Sequence, residues 1–415
     1  MKINKEKVLA PLRLQNMKCH CCAKFIDAVF LPDLSSRLYY PKEKEDDQHV
    51  VLWEWKNTAF QHINPYYYDL IYCPECSFTD FRDEFMNPEI NHSNKVKILH
   101  DAFYEEKQKK DSLLNILSKK IVPEEMNFER TVYLHLLAII IQELLPGPEP
   151  QENPRMSRDW RKLARLYLRT AWLFREKNPE KGGKKIQQGY VFEVRGAIDS
   201  VLKSVTSIKS DIEHVIHNME KQQNYEKDNK LFKKDVYLNY RANLQRIISL
   251  YNQLKTSSVN LKKVNDSHVL LLKNKTPIVG EKFYSFKNEL MDHTNAWPDI
   301  PTSEVDCLQK AAVHFHMAAD NDRYISDIEG LKLLEFAIKL LLRAQLKEDL
   351  DNLFKVFMKR SSIVRSDFMK KKSSTRSLVD IEMYDAEIKK ANAIIQEISY
   401  LYKVGNKNEP KEKSE

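Results

Sequence analysis

Three features of the sequence predict an α+β chain, mainly α. Two C-x2-C pairs bracket a tyrosine- and tryptophan-rich stretch whose hydrophobicity alternates. From about residue 91 onward the apolar period lengthens from two to about three and a half residues, the repeat of one helix face. Glycine is scarce, 8 residues in 415, which disfavours folds that wrap tight glycine turns around a phosphate and leaves Lys, Leu, Ile and Tyr to build helices.

The cysteines come first. Cys19-His20-Cys21-Cys22 is followed 51 residues later by Cys73-Pro74-Glu75-Cys76. A C-x2-C spacing lets one tight turn aim two thiolates at the same ion, and a second pair completes a tetrahedron of soft sulfur ligands. Cys19, Cys22, Cys73 and Cys76 are therefore the expected ligands of a structural Zn2+. Four thiolates leave no open position for water, so such a site staples a fold and activates no nucleophile. An iron–sulfur centre accepts the same ligands, and a redox-active C-x2-C is a further alternative, though it leaves the second pair unexplained. Cys21 is expected to be a free, oxidation-prone thiol that competes with Cys22. His20 is expected to support a ligand or face solvent, without being a ligand itself. Replacing Cys73 or Cys76 by Ser is expected to unfold residues 15 to 80.

Between the pairs, Val51, Trp53 and Trp55 alternate with Leu52 and Glu54 as in a half-buried strand. Tyr68, Leu70 and Tyr72 repeat the pattern and lead into Cys73. Residues 1–90 are thus read as a small β-rich zinc ribbon.

The helical domain is divided into a first part, 91–276, and a second part, 277–403, with 404–415 as a disordered tail. Lys95, Ile98, Leu99, Ala102 and Phe103 open the first apolar stripe, followed by Leu113, Leu114, Ile116 and Leu117. A helix is expected over Pro123 to Leu145, begun by Pro-Glu-Glu and apolar nearly all round after Val132, hence central. Its apolar run is too short and too polar for the roughly 20 residues of a membrane span. Ser157 is expected to cap the next helix, with Asp159 in its first turn and Trp160, Leu163, Ala164, Tyr167, Ala171 and Phe174 on one face. Small Ala164 and Ala171 between aromatics predict close helix approach.

Long charged helices are expected between 189 and 275, then a loop boundary at Pro277, Pro298 and Pro301. Beyond it, one helix is lined by Cys307, Ala311, Ala312, Phe315, Ala318 and Ala319, and its partner by Leu331, Leu334, Ala337, Ile338, Leu341 and Ala344. Small and large residues alternating on a helical hairpin predict a tetratricopeptide-like helical array, although no clean 34-residue period is present. Met369 to Arg376 is expected to be an exposed basic loop, and Asp380 to Leu401 a final helix.

Chemistry beyond the cysteines is sparse. His214 and His217 lie three apart on one expected helix face beside Glu213, which is not the H-E-x-x-H arrangement of a zinc protease. His314 and His316 are two apart and point in different directions. Gly182-Gly183-Lys184-Lys185 lacks the spacing of a phosphate-binding loop, and no G-x-S-x-G occurs. These absences favour a non-catalytic protein, with an enzyme site in the helical region as an alternative. A net charge of +8, from 67 basic and 59 acidic residues, is too small to imply nucleic acid without a cluster. Aromatics of residues 53 to 72 with Arg37, Lys42, Lys44 and Lys56 form one candidate cluster, but Glu43, Glu45, Asp46 and Asp47 cancel its charge. The N-terminus has no apolar segment of a secretory signal, and five of six cysteines crowd before residue 77, so a cytoplasmic, reducing location is expected.

Two stretches resemble a known family. The Cys19 to Cys22 pair with Asn64-Pro65-Tyr66-Tyr67-Tyr68-Asp69-Leu70-Ile71-Tyr72-Cys73-Pro74-Glu75-Cys76 resembles the front half of the bacterial domain of unknown function 2225. The helix from Leu163 to Glu176 is similar to that family's second signature, LA-x-LYLRAAWLYRE. Ala23 and Ser77 stand where the family has glycine after each second cysteine. The resemblance, over roughly residues 15 to 220, implies a cysteine ribbon joined to a tetratricopeptide-like region and no established activity. It also implies possible work in a bacterial envelope or motility assembly. The resulting expectation is an interaction or scaffold protein that receives a protein partner in its helical grooves; a zinc-ribbon regulator that binds nucleic acid is the alternative.

Overall fold

A computed structural model describes residues 11–32, 34–61, 63–86, 94–121, 126–145, 158–178, 276–322 and 325–407, with isolated positions between 210 and 249. The chain divides into two compact units, one of residues 1–177 with 286–415 and one of residues 178–285. In the second unit the described positions between 210 and 249 are helical, as are residues 276–285. The apolar faces expected between 189 and 275 and the Gly182-Gly183 segment lie outside the described residues.

The first unit is α+β and mainly α, as predicted. Its β part is three antiparallel hairpins: β1 (Arg13–Lys18) with β2 (Phe25–Phe30), β3 (Tyr39–Lys44) with β4 (Val50–Trp55), and β5 (Leu70–Tyr72) with β6 (Thr79–Phe81). The β3–β4 hairpin has a small core of its own. Leu31, Tyr39 and Trp55 are buried, with Trp53, Phe60 and Tyr68 packed against them, and Tyr39 stacks on Trp55 at 4.8 Å. Tyr68 is not in a strand as expected. Asn64 accepts a hydrogen bond from the Tyr66 N–H and Pro65 fixes the first φ, so Pro65–Tyr68 forms a 3-10 turn and the strand is confined to Leu70–Tyr72.

Five helices follow: α1 (Arg82–Met86), α2 (Asn94–Gln108), α3 (Leu113–Ser118), α4 (Phe128–Glu143) and α5 (Trp160–Lys177). The central helix starts later than Pro123. Asn127 takes the cap, its side chain accepting the Arg130 N–H at 2.9 Å. Thirteen of the sixteen residues of α4 are buried, which confirms its central place. The start of α5 also differs from expectation: Ser157 lies outside the described residues, and Asp159 accepts the Lys162 N–H at 3.0 Å, so Asp159 does the capping.

Toward the C-terminus the described residues form α6 (Thr276–Met291), α7 (Glu304–Asn321), α8 (Asp327–Ala344), α9 (Lys347–Ser374) and α10 (Leu378–Lys407). Pro277 does not break the chain; it sits in the first turn of α6, where its missing N–H costs nothing. Met369 to Ser374 is helical rather than a loop, because Met and Lys are good helix formers even with no face to bury. Val404 to Lys407, assigned above to a disordered tail, still belong to α10.

Helix α4 packs on α5, α5 on α7, α7 on α8, and α8 on both α9 and α10. Ala164, Ala171, Ala311 and Ala318 are fully buried, so backbones approach where small side chains were expected to permit it. All the lining residues predicted for the Cys307 and Leu331 helices are buried. Ser303 and Ser326 cap α7 and α8 by accepting the N–H of Asp306 and Glu329. Among the described residues no helix is long and apolar enough to cross a membrane.

Two imidazoles are locked into this core. His135 in α4 donates from Nδ1 to the Thr131 carbonyl at 2.8 Å, and His314 in α7 is stacked between Trp160 at 5.6 Å and Tyr167 at 5.2 Å. Burial holds each pKa down at about 4, assisted by Arg169 near His135 and by Arg158 and Lys310 near His314. The unfolded chain takes up these protons near pH 6.5 and the folded chain does not, so stability is lost as pH falls from about 6.5 towards 4. Each site contributes up to about 3 kcal/mol to that loss. In urea titrations, His135→Leu is expected to be less sensitive to pH over this window than the parent protein. Equal slopes for the two proteins would refute the assignment.

Candidate metal centre

The two cysteine pairs occupy equivalent turns in different hairpins. Residues 19–24 connect β1 to β2 beyond the Lys18–Phe25 pair, and residues 73–78 connect β5 to β6 beyond the Tyr72–Thr79 pair. Each turn closes by the same two bonds. The Cys19 N–H donates to the Lys24 carbonyl at 2.8 Å and the Ala23 N–H to the Cys19 carbonyl at 2.8 Å; the Cys73 N–H donates to Phe78 at 2.9 Å and the Ser77 N–H to Cys73 at 2.7 Å. This folding turns both sulfurs of a pair inward.

The four Sγ atoms of Cys19, Cys22, Cys73 and Cys76 all lie within 4.8 Å of one another. Cys19 Sγ is 3.8 Å from Cys76 Sγ, and Cys22 Sγ is 3.7 Å from Cys73 Sγ. A regular tetrahedron with metal–sulfur bonds of about 2.3 Å has edges of about 3.8 Å. The donor set thus fits a four-coordinate ion with no position left over. Cys19, Cys73 and Cys76 are buried and Cys22 is half-buried.

The sulfurs by themselves cannot all ionise. Hydrogen bonds from Cys19 and Cys76 lower the Cys73 thiol to about 2, while Cys19 is pushed up to about 12, chiefly by its bond to Cys73. Cys76 is pushed up further by Cys19, Cys21 and Cys73. A dication at their centre supplies the charge that four thiolates need.

Ala23 and Ser77 have φ of 61° and 70°, in the left-handed region that a glycine adopts without strain. The departure from glycine noted in the sequence therefore has a conformational cost. Ala23→Gly and Ser77→Gly are each expected to stabilise the metal-loaded protein by about 1 kcal/mol, visible as a higher thermal midpoint. A fall in the midpoint for both would overturn this account.

Around the sulfurs, α2 supplies contacts that the sequence did not reveal. His100 Nε2 lies 2.9 Å from His20 Nδ1, Tyr104 donates to the Cys21 carbonyl at 3.0 Å, and Lys107 donates to the Cys76 carbonyl. His20 packs on Phe78 and Phe85, so it is not a solvent-facing donor; burial, and then His100, depress its pKa to about 4. Cys21 is half-buried and outside the four-sulfur group. Lys24 reaches Glu75 at 3.2 Å between the two turns, an exposed pair of little weight.

The hairpins are held to the helical part by the polar side chains of α5. Lys162 Nζ lies 2.6 Å from Asp80 and 2.5 Å from Glu84, both partners of a buried ion group. Arg165 lies over the Phe81 ring at 4.3 Å, and Arg169 over Tyr66 and Trp172 at 4.9 and 4.4 Å. Arg175 makes three charged bonds: Nη1 to Glu45 at 2.5 Å, Nη2 to Asp47 at 2.6 Å, and Nε to Glu304 of α7 at 2.6 Å. Trp172 Nε1 donates to the same Asp47 at 3.2 Å, and Glu176 faces His49 at 3.2 Å and accepts from Asn64 at 2.6 Å. Arg343 of α8 reaches Glu45 at 2.7 Å. Glu45, Asp46 and Asp47, read above as cancelling a basic patch, are thus the counter-ions of two distant arginines.

The other candidates do not converge on a site. His214 and His217 are both exposed on a helix. His316 pairs with Asp320 at 3.0 Å, away from the stacked His314, as their spacing predicted. Trp55 is buried in the β3–β4 core and Lys42 pairs with Glu54 at 3.7 Å, so the alternative of a base-stacking cluster is partly consumed by the fold.

With Cys73, Cys76 and the polar face of α5 placed on one framework, the family comparison is informative. Residues 53–257 match the model of DUF2225, an uncharacterized protein conserved in bacteria. The DUF2225 match takes in β5, β6 and α5 and begins after the first cysteine pair, whereas the sequence resemblance extended back to about residue 15. The similarity to DUF2225 thus coincides with the segment that both supplies two sulfurs and clamps the hairpins. No curated protein and no solved structure matches the chain.

Proposed function

We propose that this chain is a non-catalytic interaction or scaffold protein in which Cys19, Cys22, Cys73 and Cys76 hold a structural Zn2+. The observation that carries the reading is the closed four-sulfur arrangement at the tips of two hairpins, within 4.8 Å throughout. A bound Zn2+ there supplies crosslinking, not an open coordination position. Lys162, Arg169 and Arg175 then fix the hairpins to a tetratricopeptide-like array whose grooves take a partner's helix or extended peptide. The proposed setting is the bacterial cytoplasm, at the inner face of an envelope or motility assembly.

The test combines metal analysis with capture of partners by the tagged full-length chain from its native cells. One zinc per chain, and a partner protein that crosslinks to the α7–α10 surface, support the proposal. Iron with visible charge-transfer absorption would replace zinc by a cluster, and salt-dependent binding of a mixed oligonucleotide in place of a protein would favour a nucleic-acid regulator.

A further inference from the structure

The far end of the α9–α10 hairpin is unlike the rest of the first unit. Leu350, Leu353, Phe357, Ser361 and Val364 bury one face of α9, and Ala391, Ile394 and Ile398 bury the matching face of α10. From residue 365 to residue 390 no residue is buried. The last ten residues of α9 therefore extend about 15 Å beyond its final packed position. Within this arm its own two helices meet, with Phe368 beside Tyr384 at 6.3 Å and Lys372 2.6 Å from Asp385.

At its turn, Ser377 caps α10 by accepting the Asp380 N–H at 3.3 Å. The cap fixes Leu378 and Val379 in the first helical turn. They are 77% and 75% exposed, the most exposed large hydrophobic residues among those described, with Met369 and Met383 also exposed. Lys370, Lys371, Lys372 and Arg376 precede Leu378 within eight residues of sequence, and residues 369–379 contain no carboxylate. The nearest acids in sequence are Asp367, Asp380, Glu382 and Asp385, of which Asp385 pairs with Lys372 at 2.6 Å and Asp367 lies 4.0 Å from Lys370 in an exposed, weak pair.

We infer that this tip docks on an anionic phospholipid surface, inserting Leu378 and Val379 among the headgroups while the lysines and Arg376 meet lipid phosphate. A protein partner needs a patch of about 800 Å² with matching shape. Two side chains on a projecting turn offer no such patch, whereas a fluid lipid interface deforms around it. Flexible lysine stems lie along apolar surface with their charges in the headgroup layer. Shallow apolar insertion and a basic cluster are the two weak signals that together hold a peripheral protein. The inference rests on residues remote in sequence from the cysteine site and is independent of the scaffold reading.

The test is co-sedimentation of the full-length protein with vesicles of phosphatidylcholine alone or with about 30% phosphatidylglycerol. Binding is expected to be at least about tenfold stronger to the anionic vesicles and to weaken with added salt. Leu378→Asp/Val379→Asp and Lys370→Glu/Lys371→Glu are each expected to reduce it about tenfold or more, with circular dichroism and zinc content unchanged. Equal binding by the variants, or by uncharged vesicles, overturns the inference. So does a tip-dependent dimer in lipid-free sedimentation, or tip-dependent binding of an oligonucleotide where vesicles fail.

Discussion

Replacing Cys73 and Cys76 together by serine is expected to abolish zinc binding and to open two of the three hairpins. Apparent binding energies of structural zinc are about 10–16 kcal/mol, more than a small β region can replace from other sources. The loss is narrower than the sequence alone indicated. The β1–β2 and β5–β6 hairpins have their turns at the sulfurs, but β3–β4 carries its own core around Tyr39 and Trp55 and a separate attachment to α5. Hydrogen exchange on the variant should show residues 13–30 and 70–81 exchanging fast, with β3–β4 amides and the helical circular dichroism largely retained. Stoichiometric zinc retained by the variant would end the ligand assignment.

Arg175→Met is expected to destabilise the first unit by about 3–5 kcal/mol, because it removes the close partner of buried Asp47 and Glu304 and leaves them only the longer contacts of Arg343, at 3.8 and 4.0 Å. Asp47 is 1% exposed and Arg175 has no solvent to fall back on. Arg343 reaches the same carboxylates at longer range from a more exposed position, and Arg343→Met is expected to cost about 1 kcal/mol or less. Urea denaturation of the two variants distinguishes a buried clamp from a surface ion pair; similar small losses would show that the clamp is not structural. The same cluster responds to acid. Burial alone would raise the Asp47 carboxyl, yet Arg175 and Arg343 bring it below its ordinary value of 3.8. Its contribution is therefore complete above about pH 4 and is lost as pH falls through the lower folded value.

Local patterns were legible where a face is buried or a ligand spacing is fixed. The apolar periods of α4, α5, α7 and α8 placed their inner residues correctly, and the paired C-x2-C spacing identified all four clustered sulfurs. Helix starts were less legible because several residues nearby can cap. Asn127 and Asp159 cap the helices expected to start at Pro123 and Ser157, each by accepting the N–H three residues on, and the sequence offers several such acceptors close together. The lysine-rich end of α9 carries no buried face, so no period marked it as helix. The contacts that tie the hairpins down were invisible for a different reason. Arg175 meets residues 128 and 129 positions away on opposite sides of the sequence, and no local pattern encodes such pairing.

Nearly every side chain of α4 ends in the interior, and much of its cover comes from α5, later in the chain. On the ribosome, a greasy rod therefore emerges before its lid, with α2, α3 and the β5–β6 hairpin among the elements already made that pack on it. Synthesis must pass through an interval in which the nascent polypeptide is sticky, the condition that recruits holdase chaperones. A truncated product ending short of Trp160 would remain in that interval indefinitely and is destined for inclusion bodies.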